Sequence, residues 1–335
     1  MTERTVGEMG EIAVVERILA ASASTHAHAD RGTEESRADS GRVTVGPGDD
    51  GAVVAAPDGR VVITTDMLVE GRHFRRDWSR AEDIGCKAAA ENLADIAAMG
   101  ARATGLVVAL ALPPDTDVAW VDGFLEGLLE EAARAGTTLL GGDLVAADSI
   151  TIGVTAFGDL GGRRPVLRSS ACAGDVVAVC GSLGCAAAGL AVLSRGFRSP
   201  RALVDAHRRP RPDYTAGLRA NDAGVHAMMD VSDGLLIDAR RLAQASGVDM
   251  DITAAALPVD DVLASTAAAY NLDPLQWVLG GGDDHALLAT FASGRDVPEG
   301  FTVIGSVSEA GSQGPTVTVD GKKRDHMTGF EHFRS

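Results

Sequence analysis

Six short stretches of the chain set aspartate beside glycine, serine or threonine next to an apolar run. They are "GPGDDG" (Asp49, Asp50), "ITTDML" (Asp66), "NLADIAAMG" (Asp95), "LLGGDL" (Asp143), "MMDVSDGL" (Asp230, Asp233) and "GGGDDHA" (Asp283, Asp284). Carboxylate oxygens are the hard donors that Mg²⁺ selects, and that ion keeps waters and phosphate oxygens in its octahedral shell. Glycine lets backbone amides come close to a phosphate. Each stretch alone reads equally well as something plainer: an Asp-Gly turn, a solvated helix face for Asp95, a helix N-cap for Asp230. The set as a whole points to divalent cations and phosphorylated ligands.

The charge balance bears on the same chemistry. The chain of 335 residues carries 47 acidic and 30 basic residues, a net charge of −17. A nucleic acid or an anionic membrane surface as the main partner needs a basic footprint, which is missing. Two phosphorylated anions about 5 Å apart repel by about 3 kcal/mol per charge pair at an effective dielectric near 20. Several Mg²⁺ ions are therefore expected. There are only three lysines, Lys87, Lys322 and Lys323, and none stands in G-x-x-x-x-G-K-[ST], so a P-loop nucleotidase is excluded. "AVCGSLGCAAAG" imitates a phosphate loop but matches neither G-x-G-x-x-G nor G-x-S-x-G, the latter because Cys180 occupies its first glycine position. It is read as a helix-starting turn. The four cysteines, Cys86, Cys172, Cys180 and Cys185, form no C-x-x-C pair and have no zinc spacing to histidine. They are expected to be reduced thiols in a cytoplasmic protein. The amphipathic N-terminus lacks the apolar run of a signal peptide, and no stretch has the length of a membrane span.

The elements that must position these groups alternate irregularly, which predicts an α+β fold in two domains, 1–160 and 161–335. The glycine-rich "GDLGGRRP" separates them. In the first domain a helix is expected over 8–22, with Ile12, Val15, Ile18 and Leu19 on its apolar stripe, then a mobile loop over 22–42. Two strands, 51–56 and 60–65, joined by "PDGR", come next. The strongest helix is 79–100, with a Ser79/Glu82 capping box, a stop at Gly100 and a buried stripe of Ala89, Leu93, Ile96 and Ala97. Asn92 and Asp95, three apart, share the face beside that stripe. A strand at 103–112, a helix over 117–135 and a strand at 149–157 complete this half. Strands at 175–180, 249–252, 285–291, 302–306 and 316–320, with helices at 183–194 and 235–246, make the second.

The ordered series "GPGDDGAVV … TTDMLVEGRHF … KAAAENLADIAAMGA … LLGGDL … LRSSACAGDVVAVCG … MMDVSDGLLIDARRLA … GGGDDHALL … GFEHF" resembles the thiamine-monophosphate kinase family, within the aminoimidazole-ribonucleotide-synthetase-like ATP-binding superfamily. The likeness runs from Gly46 to Phe333. It implies an N-terminal domain that binds ATP and Mg²⁺ and dimerises, and a C-terminal domain that completes the active site. It implies transfer of the ATP γ-phosphoryl group to thiamine monophosphate, giving thiamine diphosphate. By position, Asp50, Thr64, Thr65, Asp66, Asp95, Asp143, Asp230 and Asp233 match the family's magnesium positions. Gly142, Asp143, Arg168 and Ser232 match nucleotide contacts, and His73, Asp283 and Phe330 match substrate contacts. Asp50, Asp66, Asp95, Asp143 and Asp230 are the expected catalytic set. Asp283 stands where glutamate is common, and Phe330 where tyrosine is. Two other readings are weighed. One is a same-fold synthetase or dehydratase, but selenophosphate synthetase has a reactive residue near its N-terminus and the hydrogenase-maturation dehydratase ends in cysteine, whereas this chain ends "HFRS". The other is a non-catalytic nucleotide- and Mg²⁺-binding module, which has no need of the full acidic set.

Overall fold

Apolar alternation and continuous apolar runs pair into two main sheets, beside one two-stranded ribbon. The computed structural model describes residues 4–29, 43–47 and 51–324, with the side chains of 23–29 excepted. The chain divides into two compact units, Met1–Ile96 with Arg102–Gly162, and Ala97–Ala101 with Arg163–Ser335.

The first unit opens with helices α1 (Val6–Met9) and α2 (Glu11–Ala29) and a small ribbon of β1 (Val43–Val45) and β2 (Val53–Val54). Its main sheet contains β3 (Val62–Val69), β4 (Arg102–Leu112), β5 (Leu139–Ala146) and β6 (Thr151–Asp159), in the order β3-β6-β4-β5. Alternation along β6 buries Ile152, Val154 and Ala156, so one face of the sheet is packed. Helices α3 (Ala81–Ala98) and α4 (Val118–Arg134) supply Ile84, Leu93, Ile96, Phe124 and Leu128 to this core. These two helices meet backbone to backbone. A Cβ on Gly85 would stand 2.0 Å from the Phe124 carbonyl oxygen, and one on Gly127 would stand 1.9 Å from that of Glu82. No rotamer relieves a clash with backbone, so Gly127→Ala is expected to cost about 3 kcal/mol. Urea unfolding checks this, and a loss under about 0.5 kcal/mol, as at an ordinary surface site, would contradict it.

The second unit is built on continuous apolar runs. Its sheet has the order β12-β9-β11-β7-β10-β8, from β7 (Asp175–Cys180), β8 (Ala227–Val231), β9 (Val248–Ile252), β10 (Ala286–Ala292), β11 (Phe301–Glu309) and β12 (Val317–Val319). Both faces are covered. Val177, Val179, Met229, Val231 and Leu288 point into one core with α8 (Leu235–Ser246), reached after α5 (Cys185–Ser194), α6 (Arg201–Arg208) and α7 (Ala216–Asp222). The alternate residues Ala178, Met228, Leu287, Ala289 and Phe291 point into the other core with α7. Helices α9 (Asp261–Ala269) and α10 (Leu275–Gly280) complete the unit. The mixed helix-and-sheet architecture is the α+β class expected.

Several local expectations are corrected. Ile12 is 77% exposed and Val14 fully buried, so the N-terminal stripe is turned from the one read. The stretch 22–29 continues α2, while 30–42 lies outside the described residues. β2 and β3 do not pair with each other: β2 joins β1 and β3 joins β6. No Ser79/Glu82 box closes α3. The Asp83 carboxylate accepts the Arg80 N–H instead, at 3.0 Å. Helices α6, α7, α9 and α10 were not expected. They are six to nine residues long, too short for periodicity to stand out.

Candidate active site

In the first unit, α3 runs beside edge strand β3 and presents two side chains to it. The Asp66 N–H, an edge-strand donor, reaches Asn92 Oδ1 at 3.0 Å, and the Asn92 amide donates to Ala88 O at 3.0 Å. One turn on, Asp95 Oδ2 accepts the Thr64 hydroxyl at 2.6 Å. Asp95 is thus half-buried against a strand rather than on a solvated helix face. Thr64 and Asp66 share one face of β3 by alternation. Thr65 points to the other face, where its hydroxyl donates to Val154 O at 2.9 Å. His73 folds back on the strand end: its Nδ1 accepts the Val69 N–H at 3.0 Å, which puts the proton of the neutral ring on Nε2.

Gly142 and Asp143 are elsewhere on the sheet. The register runs Asp66, Val154, Val108, Gly142 across four strands, and Met67, Gly153, Ala109, Asp143 in the next row. β3 and β5 are opposite edges, so Asp143 and the Asp66–Asp95 group stand about 14 Å apart within one chain. A Cβ on Gly142 would lie 2.0 Å from Val108 O, which is why no side chain fits there. Asp50 lies outside the described residues.

In the second unit two aspartate-glycine loops lie side by side. β8 ends in Ser232-Asp233-Gly234, and the loop 280–285 crosses it. The Asp283 N–H donates to Ser232 O at 2.9 Å and the His285 N–H to Val231 O at 3.1 Å. A Cβ on Gly282 would fall 2.1 Å from Ser232 O. Asp283 and His285 have positive φ, 70° and 54°, strained conformations for residues with side chains, of a kind that gathers at functional sites. Asp230 is buried and its Oδ2 stands 3.1 Å from His285 Nδ1, so it does not cap α8. No side chain caps α8; Asp238, fully buried in its first turn, instead accepts the N–H groups of Asp233 at 3.0 Å and Gly234 at 3.2 Å and so ties the preceding turn to the helix. Burial pushes Asp238 up to about 6. Arg241 Nη1 holds Asp238 at 2.7 Å and Asp233 at 2.6 Å. Asp284 Oδ1 accepts the Ala186 N–H at 3.0 Å, near Ser182 Oγ at 3.4 Å, and burial pushes its carboxyl up to about 7. Asp283 Oδ2 is 3.9 Å from His207 Nδ1.

Arg168 is not brought to this group within the unit. Its carbonyl accepts the Ser246 hydroxyl at 2.7 Å, at the far end of α8 from Ser232, and its side chain is exposed. The guanidinium at the 232–234 turn is that of Arg241. Asp238, Arg241, His285 and His207 carried no role in the sequence reading. The Asp238/Arg241 pair, three apart on a helix, is the one signal that pointed to them. Phe330 lies outside the described residues.

Residues 48–160 match the family described as AIR synthase related protein, N-terminal domain, and residues 173–313 its C-terminal domain. Over 330 residues the chain is 46% identical to a thiamine-monophosphate kinase of Mycobacterium tuberculosis, covering 98% of this chain and 93% of that one. It is 38% identical to that of Corynebacterium glutamicum, covering 98% and 95%. The chain belongs to the thiamine-monophosphate kinase family. Solved structures of the family agree with its fold: the Aquifex aeolicus enzyme at TM-score 0.74, 34% identity and 82% of this chain and 91% of that one, and AaThiL complexed with AMPPCP and TMP at 0.77, 31%, 99% and 100%. The hydrogenase maturation protein HypE, at 20% identity and TM-score 0.67, over 84% of this chain and 88% of that one, shares the fold alone.

Proposed function

We propose that this chain transfers the γ-phosphoryl group of ATP to the phosphate of thiamine monophosphate, giving thiamine diphosphate and ADP. The observation that carries the reading is full-length similarity at 46% identity to a thiamine-monophosphate kinase. The acceptor is a phosphate oxygen already ionised near neutral pH, so no general base is required. Positioning and charge neutralisation carry the rate, by direct in-line attack without a phosphoenzyme.

The short carboxylates and the hydroxyl at β3 are donors of the kind that Mg²⁺ selects. Asp66, Asp95 and Thr64 would hold the ion at β3, Asp143 at β5, and Asp230 and Asp233 at the end of β8, with Asp50 and Thr65 the remaining positions. Bound Mg²⁺ supplies neutralisation of phosphate charge. Gly142 and Asp143 in the first unit and Ser232 in the second are the proposed nucleotide contacts; Arg168, at the far end of α8 from Ser232, is not placed with Ser232 by the second unit. His73, held on Val69, would present Nε2 to thiamine, and Asp283 and Phe330 are the other proposed substrate contacts.

A homodimer fits the sheet of the first unit. Its unpacked face exposes Ile63 (62%), Met67 (59%) and Val145 (51%), an apolar surface that a second copy would cover. Met67→Asp is expected to convert a dimer to a monomer by light scattering and to lower turnover. A dimer that survives the substitution would contradict this.

Substrate class is tested with a panel of phosphate acceptors read by ADP release. Thiamine monophosphate should raise ADP release well above every other acceptor. Equal release with all acceptors would favour a same-fold synthetase, and ATP binding without release a non-catalytic module. Among the described residues no helix is long and apolar enough to cross a membrane; a cytoplasmic setting is part of this proposal.

A further inference from the structure

We propose that Cys172, Asp175 and His226 form a transition-metal site, of zinc type, on the second unit. The three were invisible as a cluster in the sequence, because Asp175 and His226 are 51 positions apart. The fold gathers them in two steps. First, "CAGD" is a tight turn: the Asp175 N–H donates to Cys172 O at 3.1 Å, with Gly174 at φ 92° in the third position, as a type II turn requires. Cys172 and Asp175 therefore stand at the two ends of one turn. Second, Asp175 opens β7 opposite Ala292 of β10, and the His226 N–H donates to Thr290 O of the same strand at 2.8 Å. The imidazole reaches Asp175 over that strand.

His226 Nδ1 lies 2.9 and 3.0 Å from the two Asp175 oxygens. One donor atom from each of the three residues lies within 4.8 Å of the others. Tetrahedral zinc with bonds of about 2.0–2.3 Å separates its donors by about 3.3–3.8 Å, so small side-chain movements close the set. Three protein ligands leave one position for water. Asp175 is buried, His226 half-buried and Cys172 exposed, which gives a metal an entry path from the thiol side. Thiolate and imidazole select zinc-like ions over Mg²⁺. Binding would release the Cys172 thiol proton to solvent, the thiolate sulfur forming the new bond. The site stands at the opposite end of β8 from Asp230, about 13 Å away along the strand.

The test is a Co²⁺ titration of the full chain in excess Mg²⁺, which keeps the carboxylate positions occupied. Only a cysteine ligand gives a thiolate-to-cobalt charge-transfer band in the near ultraviolet, and the other three cysteines, Cys86, Cys180 and Cys185, are buried. The band is expected to saturate at one ion per chain and to vanish when Zn²⁺ is added. Cys172→Ser, at an exposed position where folding is not at risk, should abolish it. His226→Gln should weaken cobalt binding at least about tenfold. No band in the unsubstituted chain, or a band retained in Cys172→Ser, overturns the proposal.

Discussion

Asp95→Asn is expected to lower turnover at least about a hundredfold while leaving the fold intact. The substitution is isosteric. An asparagine oxygen still accepts the Thr64 hydroxyl that Asp95 Oδ2 accepts at 2.6 Å, so strand and helix stay joined. What disappears is one negative charge beside Asp66, which the proposed function makes a metal ligand in a site for polyanions. On that proposal the loss of a carboxylate removes both a ligand and the orientation of the transferred group. The effect should appear in kcat with thermal unfolding unchanged. Unaltered kcat would take Asp95 out of the site, and a lowered melting temperature with proportionate loss of activity would make its bond to Thr64 structural.

The second large effect is on stability against pH. Asp284 is buried, and burial pushes its carboxyl from the ordinary carboxylate range up to about 7. Folding therefore strengthens its hold on the proton. Its contribution is fully present below the unfolded pKa, near 4, declines as pH rises from there to about 7, and is gone above. A shift of about three pKa units corresponds to about 4 kcal/mol across that window, an upper figure for one group. Asp284→Asn retains an oxygen for the Ala186 N–H and cannot ionise. Urea unfolding at pH 5 and pH 7.5 should show the unsubstituted chain losing about 2–3 kcal/mol more than the variant on going up in pH. Asp238, also buried and raised to about 6, contributes the same sign in both proteins and cancels in the comparison. Equal slopes would mean that Asp284 is not protonated in the folded state at pH 5.

What was legible in the sequence was what local chemistry encodes. The α+β class, β7 and α8 to the residue, and the shared face of Asn92 and Asp95 follow from periodicity and spacing. The family follows from ordered short motifs. What was not legible depends on register and long-range closure. That Asp143 sits at the opposite sheet edge from Asp66 follows from the strand order β3-β6-β4-β5, which no local pattern carries. The plainer reading of Asp230 as a cap fails because its carboxylate faces His285, and the turn before α8 is held from Asp238, inside the helix. Arg168 was read as the cation for phosphate from the family resemblance alone, while the turn at Asp233 is held by Arg241, eight residues on. Cys172 and His226 have no zinc spacing, yet donor atoms of Cys172, Asp175 and His226 come within 4.8 Å of one another because β10 pairs with both β7 and β8.

The most direct measurement follows the label from γ-phosphorus-labelled ATP in the presence of thiamine monophosphate, with and without Mg²⁺. The label should appear in thiamine diphosphate, one for each ADP formed, and should stop appearing when the divalent cation is chelated. Label released as inorganic phosphate, or ADP formed with no labelled diphosphate, would contradict a direct phosphoryl transfer between these two substrates.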